Sequence, residues 1–176
     1  MGRLTPRGDF QEYETHYNGL SGITAGPDGN VWFVTNAAGE SKICRISPSG
    51  VLAQFGRYGE LEGPQQIIAG PDGNLWFTQP TSIGRITPDG TITQYAIGAV
   101  PSGIVSWNGE LWVADGRRIL RVTTEGIVLG VVAVPPANAA IMAMTVAPGR
   151  VWLAEDFGTL GYVAEVSQAR HRSVRH

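Results

Sequence analysis

The architecture of this chain follows from one stretch, Gly26-Pro27-Asp28-Gly29-Asn30-Val31-Trp32-Phe33, which recurs as Gly70-Pro71-Asp72-Gly73-Asn74-Leu75-Trp76-Phe77. Weaker copies occupy residues 108–113 and 148–153. The tryptophans of the four copies are spaced by 44, 36 and 40 residues. A fixed period of this length is typical of repeat architectures, so the repeat is the first guide to the fold.

A second signature follows the tryptophans and shows how each repeat is built. It reads Ile86-Thr87-Pro88-Asp89-Gly90 in one copy, and related copies occupy residues 4–8, 46–50 and 122–126. Both signatures contain the Pro and Gly that a tight turn needs, and the third repeat has Asn108-Gly109, the pair favoured in a two-residue type I′ hairpin. No stretch has a helical apolar period.

Each repeat is therefore predicted to form four short strands, named A to D in chain order. In the second repeat they cover 66–69, 75–78, 83–86 and 91–95, and strand A of the third repeat covers 103–106. Four strands in about 40 residues form the pattern of a propeller blade. The sequence predicts an all-β protein, a β-propeller of four-stranded antiparallel blades with about four blades present, as a partial or small ring.

The predicted organisation is a half-blade at 1–18, repeats at about 20–63, 64–100, 101–138 and 139–166, and a basic, flexible tail at 167–176. The half-blade holds strands C and D, and the last repeat holds A, B and C. Three arrangements remain open. The half-blade could pair with the last blade and close a small ring, two chains could join edge to edge, or the chain could be a fragment of a longer propeller.

Composition and net charge limit the classes of partner that the chain can be expected to bind. The formal net charge is −2, so no basic field indicates a nucleic-acid partner. Cys44 is the single cysteine, so no disulfide forms within the chain, and no long apolar run indicates a membrane segment. We expect a cytoplasmic protein, with a homodimer through open blade edges as an additional expectation, because an unpaired edge strand promotes association.

The stretches 67–78 and 83–93 resemble, almost residue for residue, the repeat of the streptogramin B (virginiamycin B) lyase family. The resemblance implies a seven-bladed ring that opens cyclic streptogramin B antibiotics by Mg²⁺-assisted elimination at an ester. Such a reaction needs a base for the α-proton and a cation that stabilises the charge developing on the carbonyl side. The resemblance also implies that glutamates near the rim of the channel help to hold Mg²⁺.

In this family two histidines occupy the position two residues before the strand A isoleucine of successive repeats, which we call the slot. The slots of this chain hold Ser21, Gln65, Ser102 and, in the last repeat, Ile141 or Met142. The histidines present are His16, His171 and His176. We expect His16 to be an exposed loop residue. The chain by itself therefore has no evident catalytic base.

Antiparallel pairing places the start of strand A beside the end of strand B, at one mouth of the channel. The binding residues predicted there are Ser21, Gln65, Gln66, Gln79, Ser102, Asp115 and Glu155. Carboxylates on adjacent repeats suit a hard cation, so Asp115 and Glu155 are the predicted metal ligands, with Mg²⁺ implied by the resemblance. The alternative is that these side chains are ordinary polar surface residues that contact only solvent. The strand B tryptophans are predicted to pack between blades.

Two main functional hypotheses follow. The first is a non-catalytic scaffold that binds a small molecule or a protein at the channel rim. The second is a Mg²⁺-dependent carbon–oxygen lyase that inactivates an antibiotic and is completed by missing blades or by a second chain. A weaker third hypothesis is a lactonase-like divalent metal site built from Asp115, Glu155 and Asn138.

Overall fold

A computed structural model describes residues 1–36, 40–133, 140–147, 149–156 and 162–166, all of whose regular elements are β-strands. The strands are β1 (Gly2–Leu4), β2 (Phe10–Glu12), β3 (Leu20–Ala25), β4 (Val31–Thr35), β5 (Ile43–Ile46), β6 (Leu52–Phe55), β7 (Ile67–Ala69), β8 (Leu75–Thr78), β9 (Ile83–Ile86), β10 (Ile92–Tyr95), β11 (Pro101–Trp107), β12 (Glu110–Asp115), β13 (Arg118–Val122), β14 (Val128–Ala133), β15 (Ala140–Ala147), β16 (Arg150–Asp156) and β17 (Tyr162–Val166). Within these ranges no helix has the length and hydropathy to cross a membrane.

The strands form the predicted blades. β3 to β6, β7 to β10 and β11 to β14 make three four-stranded antiparallel sheets in chain order, and β15 to β17 make a three-stranded sheet. The first strands of successive blades contact one another, β3 with β7, β7 with β11 and β11 with β15. The prediction of an all-β propeller with about four antiparallel blades is confirmed. The basic tail at 167–176 lies outside the described residues.

Turn chemistry determines where the strands begin. The Asp28 carboxylate accepts hydrogen bonds from the Asn30 amide and from the Trp32 indole, the latter at 2.9 Å. Asp72 holds Trp76 in the same way at 3.0 Å. In the third blade Trp107 lies opposite Glu110 across a two-residue turn in which Asn108 and Gly109 both have positive φ, 51° and 80°. This is the predicted type I′ hairpin, and it lets β11 extend beyond the predicted strand 103–106.

The buried tryptophans join neighbouring blades. Trp32 shares a buried cluster with Ile67 of the next blade, Trp76 with Ile104, and Trp112 with Met144. These three indoles are at most 2% exposed. The prediction that they pack between blades is confirmed for these three, and burial of these large apolar side chains stabilises the contact between neighbouring blades.

The half-blade formed by β1 and β2 packs against the first full blade much as one full blade packs against the next. Arg3 donates a hydrogen bond to the carbonyl of Pro48 in the first full blade, at 3.4 Å. Arg45, the equivalent residue of that blade, donates to the carbonyl of Pro88 in the second full blade, at 2.8 Å. Met1 and Tyr13 pack against the buried cluster of Phe33, Cys44 and Ile46. In the described part of the chain β1 and β2 form a sheet of their own, separate from β15 to β17. The pairing that would close a small ring is therefore not formed there.

Candidate functional site

Strand pairing aligns the slots of the four blades. The strand B tryptophans lie opposite Thr24, Ile68, Val105 and Thr145. The slot of each blade lies three residues before this strand A residue. The four slot residues are therefore Ser21, Gln65, Ser102 and Met142. In the last blade Ile141 is 1% exposed, whereas Met142 is 60% exposed within a β-bulge. The alignment therefore selects Met142 from the two residues that the sequence left open.

The two slot serines connect adjacent blades through their hydroxyl groups. Ser21 Oγ donates a hydrogen bond to the carbonyl of Gln65 in the following blade. Ser102 Oγ does the same toward the carbonyl of Ile141, at 3.0 Å. Each bond joins the inner strands of neighbouring blades at the mouth. The hydroxyls therefore have a defined structural role in holding adjacent blades together.

The two adjacent glutamines differ in their roles. Gln66 Oε1 accepts a hydrogen bond from the Ile104 N–H at 2.7 Å, which connects β7 to β11. The Gln66 N–H donates to Thr78 Oγ1 at 3.2 Å within its own blade. Gln65 is exposed, and its backbone carries the carbonyl that Ser21 contacts. Gln65 is therefore the glutamine whose side chain faces solvent at the mouth.

Gln79 lies inside the protein and not on the rim surface. Its side chain is 2% exposed. Oε1 accepts from the Glu62 N–H at 2.8 Å, and Nε2 donates to Ser82 Oγ at 3.0 Å and to Gln94 Oε1 at 2.8 Å. Because these contacts use both of its polar atoms, Gln79 supports the loops around the mouth, and we do not include it in the binding surface.

Asp115 is held in an ion pair that the sequence reading missed. Its Oδ2 contacts Arg118 Nε at 2.8 Å and Arg118 Nη2 at 2.7 Å, and its Oδ1 accepts from the Val100 N–H at 3.1 Å. Arg118 follows Asp115 by three residues across a tight hairpin, which is the signal that could have indicated the pair. The two residues line a cleft of about 320 Å³ with Thr81, Gly98, Ala99 and Val100.

The structure describes the side chain of one of the two predicted metal ligands, Asp115. Asp115 and Glu155 occupy equivalent positions, since each lies three residues after its strand B tryptophan, but both Asp115 oxygens already have donors. No group of three or more potential metal-ligating side chains occurs among the residues the structure describes. The side chain of Glu155, and Asn138 as a whole, lie outside those residues. We therefore derive no step through a metal ion.

His16 lies in the loop between β2 and β3 and occupies none of the four slots. It is exposed, has a φ of 55°, and lines a shallow cleft of about 460 Å³ with Glu12 and Glu14. The expectation of an exposed loop residue is confirmed. His171 and His176 lie outside the described residues.

The mouth as a whole combines exposed polar and apolar groups without a proton acceptor in any of the four slots. Gln65, Ser102 and Met142 are exposed along one line of inner strands, and the ion pair of Asp115 and Arg118 lies in the third blade, at the turn between β12 and β13. Chemically, this surface can bind through hydrogen bonds and apolar contact.

Comparisons with known proteins identify the family. The profile of the Virginiamycin B lyase family matches residues 1–172. The chain is similar to a streptogramin B lyase structure, with 28% identity and a TM-score of 0.78 over 95% of this chain and 61% of that one. It is equally similar to a catalytically inactive variant of the virginiamycin B lyase from Staphylococcus aureus, with quinupristin, at 29% identity and a TM-score of 0.77 over 94% and 62%.

More distant structures share the fold alone. The WD40 domain of Pan2 from Neurospora crassa matches at 13% identity with a TM-score of 0.63, over 86% of this chain and 47% of that one. A comparison with curated protein sequences finds no match. The chain spans about three fifths of the length of the lyase structures, 61% and 62%. On the match over residues 1–172, the chain belongs to the Virginiamycin B lyase family.

Proposed function

We propose that this chain is a non-catalytic binding segment of a lyase-family propeller, which takes a small molecule or a protein at the channel mouth. One observation carries the proposal. The four slots hold Ser21, Gln65, Ser102 and Met142, none of which can accept an α-proton near neutral pH. The slot serines instead bond to the carbonyls of the following blade.

The binding surface that we propose runs along the inner strands. Met142 supplies an exposed, adaptable apolar contact at 60% exposure, and Gln65 and Ser102 supply neighbouring hydrogen-bonding groups. Asp115 and Arg118 add a charged pair at the edge of the surface. An amphipathic ligand with amide and apolar groups would match this composition.

Quinupristin can test both that the chain binds a ligand and that it does not catalyse a reaction, since a structure of a family member with quinupristin is known. We expect calorimetry to detect binding, and reversed-phase chromatography to detect no linear product in the presence of Mg²⁺. Met142→Asp should weaken binding at least fivefold. Val51→Asp, at a position that is 66% exposed in an outer turn, is the matched control and should leave binding unchanged. Linearisation by the isolated chain would overturn the proposal.

The second candidate is a lyase whose base comes from blades outside the described residues or from another chain. The match to about three fifths of the lyase structures at 28% and 29% identity favours it. If two chains assemble one site, the rate of linearisation should rise with the square of the chain concentration below the dimerisation constant. Light scattering on the same samples would show the corresponding dimer.

A further inference from the structure

A cleft of about 320 Å³ lies between the second and third full blades, at the mouth of the channel. Both of these blades are complete four-stranded sheets. The connection between the first two full blades, from β6 to β7, covers residues 56–66, and its Leu61 is only 4% exposed. The connection from β10 to β11 covers only residues 96–100 and ends at Val100, which is 65% exposed. The shorter connection leaves this cleft open to solvent.

Asp115 occupies in the third blade the position that Gln79 occupies in the second, three residues after the strand B tryptophan. Both side chains accept a hydrogen bond from the segment that leads into strand A. Gln79 accepts from the Glu62 N–H at 2.8 Å, and Asp115 accepts from the Val100 N–H at 3.1 Å. Gln79 is 2% exposed, whereas Asp115 is paired with Arg118, which is exposed. The position that is enclosed in the second blade therefore carries a solvent-facing charged group in the third.

The cation of this ion pair is the partner that a ligand would meet first. Both Asp115 oxygens have donors, Oδ1 from the Val100 N–H and Oδ2 from Arg118, and the Asp115 side chain is 13% exposed. The Arg118 side chain is 51% exposed. Although the two charges cancel in sum, the group presented to solvent is a guanidinium. The cleft therefore favours an anionic ligand over a cationic one.

One edge of the Arg118 guanidinium remains for a ligand. Asp115 Oδ2 contacts Nε at 2.8 Å and Nη2 at 2.7 Å, and these nitrogens form the side edge of the group. Among the described residues the guanidinium has no further partner. The end edge, formed by Nη1 and the second proton of Nη2, can therefore donate two parallel hydrogen bonds. A carboxylate matches this planar fork with two acceptor oxygens, whereas a neutral amide has one.

The rest of the cleft supplies apolar surface and limits the size of the ligand. Gly98, Ala99 and Val100 line it from the short connection, and Thr81 lines it from the turn between β8 and β9. The exposed Val100 side chain can contact an apolar group of a ligand. A volume of about 320 Å³ lies at the lower end of the range of about 300–1,000 Å³ that is typical of small-molecule sites. The occupant that fits is therefore a small molecule.

We propose that this cleft binds a small molecule in which a carboxylate is joined to an apolar group. The carboxylate accepts hydrogen bonds from Nη1 and Nη2 of Arg118, and the apolar group packs against Val100. Asp115 holds the guanidinium in place by its side edge, so that the end edge faces the ligand. This inference rests on the proposed function, since it treats the mouth as a binding surface, and it adds the chemical group that the edge of that surface recognises.

The test titrates the whole chain, labelled with ¹⁵N, with N-acetyl-leucine and separately with its neutral amide. We expect saturable shifts of the Arg118 Nε–H and Val100 N–H signals with the carboxylate, and no saturation with the amide over the same concentrations. Followed at the Val100 N–H, Arg118→Gln should weaken binding about fivefold or more, because it removes the fork. Thr81→Phe should cause a similar loss by filling the cleft, while it leaves the ion pair intact.

Arg117→Gln is the matched control, because it removes the same charge from the same turn and Arg117 does not line the cleft. Its affinity should stay within about twofold of the wild-type value, since exposed charges are screened. Absence of saturation, equal losses in the two arginine variants, or equal affinity for the amide would overturn the proposal. Tighter binding of a pentapeptide that ends in leucine would assign the cleft to chain termini and would also overturn it.

Quinupristin binding, measured on the same samples, separates this inference from the proposed function. Intact binding of quinupristin without binding of N-acetyl-leucine would overturn the carboxylate site alone. Binding of N-acetyl-leucine that survives in Met142→Asp would support a cleft that acts separately from the slot surface.

Discussion

Gln66 and Ile104 join the inner strands of two adjacent blades, because the side-chain oxygen of Gln66 accepts the Ile104 N–H at 2.7 Å. The donor is a backbone group of a residue that is 0% exposed, so its partner must come from the protein. Hydrogen bonds of this kind complement the tryptophan packing between blades, since they fix the offset of one blade against the next.

Removing this bond should destabilise the chain. Gln66→Ala leaves the Ile104 N–H without its acceptor, and we expect the free energy of unfolding to fall by about 1–3 kcal/mol. Urea denaturation followed by tryptophan fluorescence measures it. Gln65→Ala is the control, with an expected change within about 0.5 kcal/mol, because the Gln65 side chain is exposed. Equal effects at the two positions would contradict the assigned role of Gln66.

Gly84 should be intolerant of a side chain. A Cβ at this position would lie 2.0 Å from Cζ of Phe77, a ring that is 0% exposed. Gly84→Ala should therefore cost about 1–3 kcal/mol through overpacking. Gly130, also in a strand, has open space around its Cβ position, and Gly130→Ala should be neutral or stabilise by up to about 1 kcal/mol. Thermal unfolding of the two variants in parallel tests the contrast.

The turn aspartates should make stability depend on acid pH. Burial alone would raise the pKa of Asp72, but hydrogen bonds from Asn74 and Trp76 outweigh it and hold the pKa below its usual value. A carboxyl whose pKa is lower in the folded state stabilises the fold above its unfolded pKa of about 3.9 and loses that contribution as pH falls through the folded value.

Urea midpoints measured from pH 6 down to pH 2 should therefore fall on the acid side, and less steeply in Asp72→Asn. Asp28, whose pKa is lowered by the equivalent contacts against the same effect of burial, should behave alike. If the urea midpoints of the wild-type chain, Asp72→Asn and Asp28→Asn fell equally steeply with pH, the assigned role of the turn aspartates would be wrong.

Cys44 should resist thiol reagents while the chain is folded. Burial raises the pKa of the Cys44 thiol to about 11, and the nearby charge of Lys42 only partly opposes this. Because the thiolate is the reactive form, we expect a dithiobis-nitrobenzoate assay at pH 8 to show slow reaction in buffer and one rapid equivalent in denaturing urea. Rapid reaction of the folded chain would contradict the burial of Cys44 in β5.

Much of the fold could be predicted because its determinants are local. The Asp28 and Asp72 turns, the Asn108-Gly109 hairpin and the tryptophan spacing act over a few residues, so the strands and their antiparallel order follow from the sequence. The family could also be recognised, since the repeat itself carries the resemblance. The bounds of β8 and β9 agree with the predicted strands.

The candidate site could be predicted only in part. The sequence placed Ser21, Gln65 and Ser102 in the slots, and each lies three residues before the strand A residue that pairs with the tryptophan of its blade. The sequence left the last slot open, because a β-bulge in β15 decides the register between Ile141 and Met142. It also treated Gln79 as a rim residue, although its partners include Glu62 and Gln94, 17 and 15 residues away in the chain.

The sequence by itself therefore determined the repeat, the blade and the absence of histidine from the slots, since these depend on short-range turn geometry and on residue identity. Only the tertiary structure decided which polar groups are engaged and which surfaces are open. The partners of Ser102, Gln66 and Asp115 come from other strands or loops. Such contacts arise when distant segments pack together, and the order of residues along one blade does not specify them.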